Sequence, residues 1–182
     1  MAKKSKKSTL SLFIIMAALV FGVLTVILPM VTNFASSFFS YTVAGKLLEG
    51  TIATYKGTDV FFGTKTDSGD QLLIGSTLGL IGFILSIAGS LSLLLGAVLA
   101  CLKKGKLAKL LSLIGGLCLL VAGIFMFVAP NNFVSSNLDE ILASGSKYAK
   151  EAISGKMEAG AILGGIFGIV GGLGGFAGAI VK

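Results

Sequence analysis

Arginine, histidine and tryptophan are missing from this chain, and all fifteen of its basic residues are lysine. Without histidine the commonest catalytic base and metal ligand is gone. Without arginine the favoured reader of guanine and phosphate geometry is gone too, so nucleic acid is not an expected partner. Cysteine is nearly absent: Cys101 and Cys118 lie in or at the end of apolar segments, which speaks for packing residues rather than a disulfide framework or a zinc site. Charge is scarce at 13% of residues, whereas 54% are apolar and the mean hydropathy is +0.96. That balance belongs to an integral membrane protein rather than a soluble domain.

Four apolar stretches follow, and with them an all-α membrane protein, a bundle of four transmembrane helices in a single membrane domain. The expected spans are 10–30, 71–101, 107–130 and 158–181, with outer loops at 31–70 and 131–157 and a cytoplasmic turn at 102–106. The first run is too long for a signal-peptide core and no A-x-A pattern follows, so it reads as an uncleaved span. The first loop is β-prone: Thr51 to Tyr55 and Val60 to Phe62 flank Lys56, Gly57, Thr58 and Asp59, which predicts a small hairpin bending near Gly57. In the second loop Ser136 and Asp139 form a capping-box pattern. Leu138, Ile141, Leu142, Tyr148, Ala149, Ala152 and Ile153 fall on one side, predicting an outer amphipathic helix.

Glycine is the abundant residue that needs an explanation. In the last span it recurs at Gly160, Gly164, Gly168 and Gly172, with Gly171, Gly175 and Ala179 in a second row alongside. Each interior glycine costs a helix roughly 0.8–1.0 kcal/mol relative to alanine, so in water such a helix fails. In a bilayer the peptide groups must stay paired, and small-xxx-small rows let another helix approach closely. Gly75, Gly82, Gly89 and Gly96 form a heptad in the second span, matched by Ala108, Ser112, Gly115 and Ala122 in the third, so these two spans read as an antiparallel hairpin with facing small seams.

Lysine placement sets the topology. The amino terminus (Lys3, Lys4, Lys6, Lys7), the turn (Lys103, Lys104, Lys106, with Lys109 just beyond) and the carboxyl end carry nine lysines and no acid, while all eight acidic residues fall in the two loops or, as Glu158, at the outer end of the last span. Lysine excess marks the cytoplasmic side, placing both termini inside. A duplication is also suggested. Lys3, Lys4, Ser5, Lys6 before Leu10, Ser11, Leu12 is matched by Lys103, Lys104, Gly105, Lys106 before Leu111, Ser112, Leu113, and an NFxSS sequence follows both Pro29 and Pro130. The halves then read as two tandem helical hairpins.

No acidic or basic group lies in the interior of a span, Lys109 and Glu158 standing at span ends, which weighs against pumps and proton-coupled carriers. Ser86, Ser90 and Ser92 are expected to bond to carbonyls one turn back. Asp67 and Asp70 supply too few carboxylates for a calcium site. No nucleophile–base pair, metal cluster or phosphate loop is legible, so neither enzymatic activity nor a cofactor is expected.

The stretch Tyr55, Lys56, Gly57, Thr58, Asp59, Val60, Phe61, Phe62, Gly63, set between a span ending in Leu28–Pro29 and a glycine-rich second span, resembles uncharacterised small four-span membrane proteins of low-GC Gram-positive bacteria. The resemblance implies a bacterial plasma membrane and supplies no activity. In plan the chain also resembles the claudin-like tetraspans, without their loop tryptophan and cysteine pair. Two functional readings stand: a non-catalytic scaffold or assembly subunit that packs through its glycine faces in a homo-oligomer or larger membrane complex, or a small transporter or channel component.

Overall fold

The computed structural model describes residues 2–43, 46–65, 71–102, 104–143 and 152–181. The order of elements is α1 (Ala2–Val31), β1 (Asn33–Val43), β2 (Lys46–Lys56), α2 (Gly57–Phe62), β3 (Thr64–Lys65), β4 (Gln71–Leu73), α3 (Thr77–Cys101), α4 (Gly105–Ser136), α5 (Leu138–Ala143), β5 (Ile153–Met157) and α6 (Ala159–Ile180). Four helices, α1, α3, α4 and α6, are long and apolar enough to cross a membrane. The chain divides into two compact units. Unit 1 comprises Met1–Ile27, Gly82–Ile124 and Gly164–Lys182, and unit 2 comprises Leu28–Ile81 and Phe125–Leu163.

Among the described residues the regular elements of unit 1 are helix segments. Its buried apolar centre is formed by Ile15, Ala18, Leu93, Ala97 and Leu119, while Phe13, Val20, Ile84, Leu91, Leu117 and Leu173 are exposed. Large aliphatic side chains on the outside are what a hydrocarbon solvent accepts. The buried hydroxyls are satisfied within their own helices: Thr25, Ser86, Ser90 and Ser112 each donate to the carbonyl four residues back.

Unit 2 holds a three-stranded antiparallel sheet in the order β2-β1-β5. Strand β1 is central, and its Phe34, Ala35, Ser36 and Ser37 are buried. The predicted hairpin is present as a β-rich loop but with different partners. Thr51 to Tyr55 pairs back onto Ser37, Ser36 and their neighbours in β1, not forward onto Val60 to Phe62. Gly57 is not at a bend; it begins α2, where a Cβ would collide with the Pro29 carbonyl. Asp59 fixes this start by accepting a hydrogen bond from the Lys56 N–H at 3.1 Å, one half of a capping box. Val60 and Phe61 are then driven inward, Phe61 meeting Phe34 edge-on at 5.0 Å.

Three further expectations are corrected. The second span starts at Thr77, not Gln71, because Gln71–Leu73 pairs with Thr64–Lys65. Ser76 then caps α3 by accepting the Gly79 N–H. The third span does not stop at Pro130: α4 runs on to Ser136, carried by Phe133 and Val134, both fully buried. Of the expected outer amphipathic helix, Leu138–Ala143 is helical, while Ile153 lies in a strand; Tyr148 and Ala149 lie outside the described residues. The two NFxSS copies also differ, the first in β1 and the second in α4.

Asn137 ties these pieces together. Fully buried, it accepts from the Ile74 N–H at 2.6 Å and donates to the carbonyls of Ile74 and Phe133 at 2.8 Å. Replacing Asn137 with alanine removes the side-chain partner of the Ile74 N–H and carbonyl at a part-buried position and of the Phe133 carbonyl at a buried one, and an orphaned buried group costs about 1–3 kcal/mol. Exposed Ser135→Ala should change stability by less than about 0.5 kcal/mol. Thermal unfolding of the two variants in detergent checks this, and equal melting points would refute the role assigned to Asn137.

Candidate functional site

The glycine rows are where backbone comes closest to backbone. In unit 1 the last helix uses two of its sides. Toward α4, a Cβ at Gly168 would lie 2.8 Å from Gly123 Cα, one at Gly172 would lie 2.8 Å from the Gly116 carbonyl oxygen, and one at Gly175 would lie 2.9 Å from Gly116 Cα. Toward α1, Gly171 faces the Ala18 carbonyl, Gly174 faces the Ala18 side chain and Gly178 faces Ile15. Phe21 of α1 and Phe167 of α6 stack at 5.6 Å. Real Cβ atoms essentially never sit under 3.0 Å from a neighbour, so any side chain on the first row must push a helix backbone aside.

The same holds between α3 and α4. Gly89 packs on Gly115 and Leu119, and Gly96 packs on Ala108 and Ser112, so the two helices run antiparallel. Gly22 of α1 abuts Ser90 of α3. Of the other glycines singled out from sequence, Gly82 and Gly164 are buried in α3 and α6. Gly160 is in unit 2 against Thr32 and the Asn33 carbonyl. Gly75 is not on a helix at all; it fits against the Phe61 carbonyl and the Gly63 N–H, where only a residue without Cβ can go. Gly116 and Gly123, the partners of Gly172 and Gly168, were missed from sequence. Their seven-residue spacing, one position after the recognised Gly115, is the signal that would have found them.

These contacts also gather the helix ends of unit 1. Ser11 donates to the Gly178 carbonyl, so the start of α1 meets the end of α6. Gly96 on Ala108 and Ser112 places the end of α3 at the start of α4, and Gly175 lies on the Ser112 carbonyl. One end of the unit therefore receives Lys3, Lys4, Lys6 and Lys7 from α1 and Lys104, Lys106 and Lys109 from the start of α4; Lys103 lies outside the described residues. Lys104 and Lys106 are exposed and Lys109 is half-buried.

In unit 2 the polar side chains answer one another. Ser36 donates to Glu158 at 2.8 Å, Ser76 donates to Asn132 at 2.7 Å, and the Lys156 ammonium stands 4.8 Å over the Phe38 ring. Asp67 and Asp70 lie outside the described residues.

The glycine contacts make a prediction with opposing terms. Gly168→Ala gains about 0.8–1.0 kcal/mol of helix propensity, but overpacking a backbone contact costs about 1–3 kcal/mol, so a net loss is expected and Gly168→Leu should lose more. Leu173→Ala, on the exposed side, should stay within about 0.5 kcal/mol of the unaltered protein. Detergent melting curves decide it: a Gly168→Ala protein as stable as the parent would remove the contact from the account. No protein-family model, curated protein or solved structure matches the chain.

Proposed function

We propose that this is a non-catalytic integral protein of a bacterial plasma membrane, a scaffold or assembly subunit whose glycine faces lock its helices into a rigid bundle. The single observation that carries the reading is that six glycines of α6 are taken up within the bundle, Gly168, Gly172 and Gly175 by α4 and Gly171, Gly174 and Gly178 by α1. Together with the α1–α3 and α3–α4 contacts, these support a bundle with the order α1-α3-α4-α6, in which Gly22 of α1 also touches Leu119 of α4. A partner helix meets the large aliphatic side chains outside that bundle, not the glycines. The buried hydroxyls of α3 and α4 are bonded to their own helices, which favours a packed support over a solute path.

The charge partition supports the orientation. Every Asp and Glu of the chain falls within the ranges of unit 2, and among the described residues the lysines of unit 1 lie on helix segments that meet at one of its ends. By the lysine rule that end is cytoplasmic, and the two acidic loops of the chain are outside. The sheet takes two strands from the long first loop and one from the shorter second loop, in keeping with a claudin-like plan. A shared origin of the two hairpins gains support from the prolines: the Pro29 carbonyl is covered by Gly57 and the Pro130 carbonyl by Gly155.

Two measurements test the reading. With Cys101 and Cys118 replaced, single cysteines at exposed Thr58 and Lys104 should react differently with an impermeant thiol reagent on intact cells, Thr58→Cys labelling and Lys104→Cys not. The reverse pattern would invert the topology, and labelling at both would undo the span count. Gentle extraction should yield a homo-oligomer or a complex with other membrane proteins. A lone oligomer that passes solute when placed in liposomes would transfer the assignment to a transport component.

A further inference from the structure

We propose that the lysine end of unit 1 is a binding surface for the phosphodiester headgroups of anionic glycerophospholipids. The site comprises the four lysines on the first turns of α1 (Lys3, Lys4, Lys6, Lys7) and Lys104, Lys106 and Lys109 at the start of α4. It rests on the membrane reading above but not on which side faces the cytoplasm.

Three observations converge on lipid. Unit 1 contains no Asp or Glu, so its own side chains offer these ammonium groups no counter-ion. Their depth is right as well. The apolar run of α1 begins at Leu10 in the sequence, which at about 1.5 Å per residue puts Lys7 roughly 4–5 Å and Lys3 roughly 10 Å before it along the helix. Lys106 and Lys109 fall in the first turns of α4. That is headgroup level for a lysine on a flexible four-carbon stem. The third observation selects the partner. Next to the lysines along the chain are exposed apolar side chains, Leu102 at 62% just before α4, Leu107 at 52% and Leu110 at 54% on its first turns, and Leu10 at 54% on α1. A soluble polyanion has nothing to place on leucine, whereas a phospholipid brings a phosphate and an acyl chain to adjacent depths. Lysine suits this ligand, because a mobile ammonium meets a phosphate as a point charge and needs no fixed geometry.

The full chain, purified in a neutral detergent, would be offered phosphatidylglycerol and phosphatidylcholine of equal chain length, and the lipid retained would be counted by native mass spectrometry. Phosphatidylglycerol should be preferred. A juxtamembrane lysine is worth about fivefold in affinity, so the Lys3, Lys4, Lys6, Lys7→Gln variant should lose roughly tenfold or more of the preference, and the Lys104, Lys106, Lys109→Gln variant should also lose most of it. A control with Lys46, Lys56 and Lys65→Gln, all exposed in unit 2, removes as much charge as the α4 variant and should keep the preference. On the unaltered chain, salt at about 0.5 M should abolish it by screening, and inorganic phosphate at the lipid's concentration should not compete.

Equal retention of the two lipids overturns the proposal, as does an equal loss in the unit 2 control or a preference that survives salt. Effective competition by inorganic phosphate would reduce the site to one for the free ion and overturn the lipid assignment. Micelles have no sides, so a reversed topology would leave these results unchanged. A chain that stays soluble without detergent would instead refute the membrane reading itself.

Discussion

Close approach of one backbone to another is the constraint on which unit 1 depends, and α6 is where it is applied twice. Its apolar window is the most buried of the four at 44%, against 22% for α1, although its glycines give it little side chain to bury. Burial there comes from other helices lying almost directly on its main chain, with Gly168, Gly172 and Gly175 against α4 and Gly171, Gly174 and Gly178 against α1. Dispersion contacts of this density are individually weak and collectively large. They require that nothing project from the surface. The intrinsic weakness of a glycine helix is offset by the solvent: in hydrocarbon, unwinding would expose peptide groups at several kcal/mol each.

Unit 2 is held by a different principle. Its connecting segments would strand buried peptide groups if polar side chains did not complete them. Asn137 satisfies both the N–H and the carbonyl of Ile74, acting as a substitute strand for a segment that has none. Ser76 accepts from Gly79 while donating to Asn132, and so joins the start of α3 to the far end of α4. Apolar packing fills the space between, with Tyr55 edge-on to Phe133 at 5.0 Å.

Much of this was legible in the chain because the signals were periodic. The spans follow from apolar length, and the glycine repeat in α6 is plain in the chain, though Gly171 and Gly175 of its expected second row face different helices, α1 and α4. Boundaries set by tertiary contacts were not legible. Nothing local distinguishes Leu72, Leu73 and Ile74 from the helix that follows, and only pairing with Thr64 and Lys65 makes Gln71–Leu73 a strand. Pro130 looked like an end because proline removes a donor, yet burial of Phe133 and Val134 outweighs one lost hydrogen bond. The Tyr55–Gly63 stretch carries turn-forming residues, which fit a hairpin bend and a short capped helix equally well. The Pro29 carbonyl against Gly57 settles the choice, and that contact is invisible in a window of nine residues.

The pairing of β1 with β5 also sets an order of events during synthesis. Ala35 is joined to Met157 and Phe39 to Ile153, so the central strand waits for its second neighbour until three apolar helices have left the ribosome. Until then β1 has β2 alone, and a two-stranded hairpin is marginal by itself. Contacts so distant along the chain form late and leave an open strand edge in the interval. A nascent chain stalled before Ile153 would thus display a half-built sheet, a form that quality-control proteases can distinguish from the finished protein.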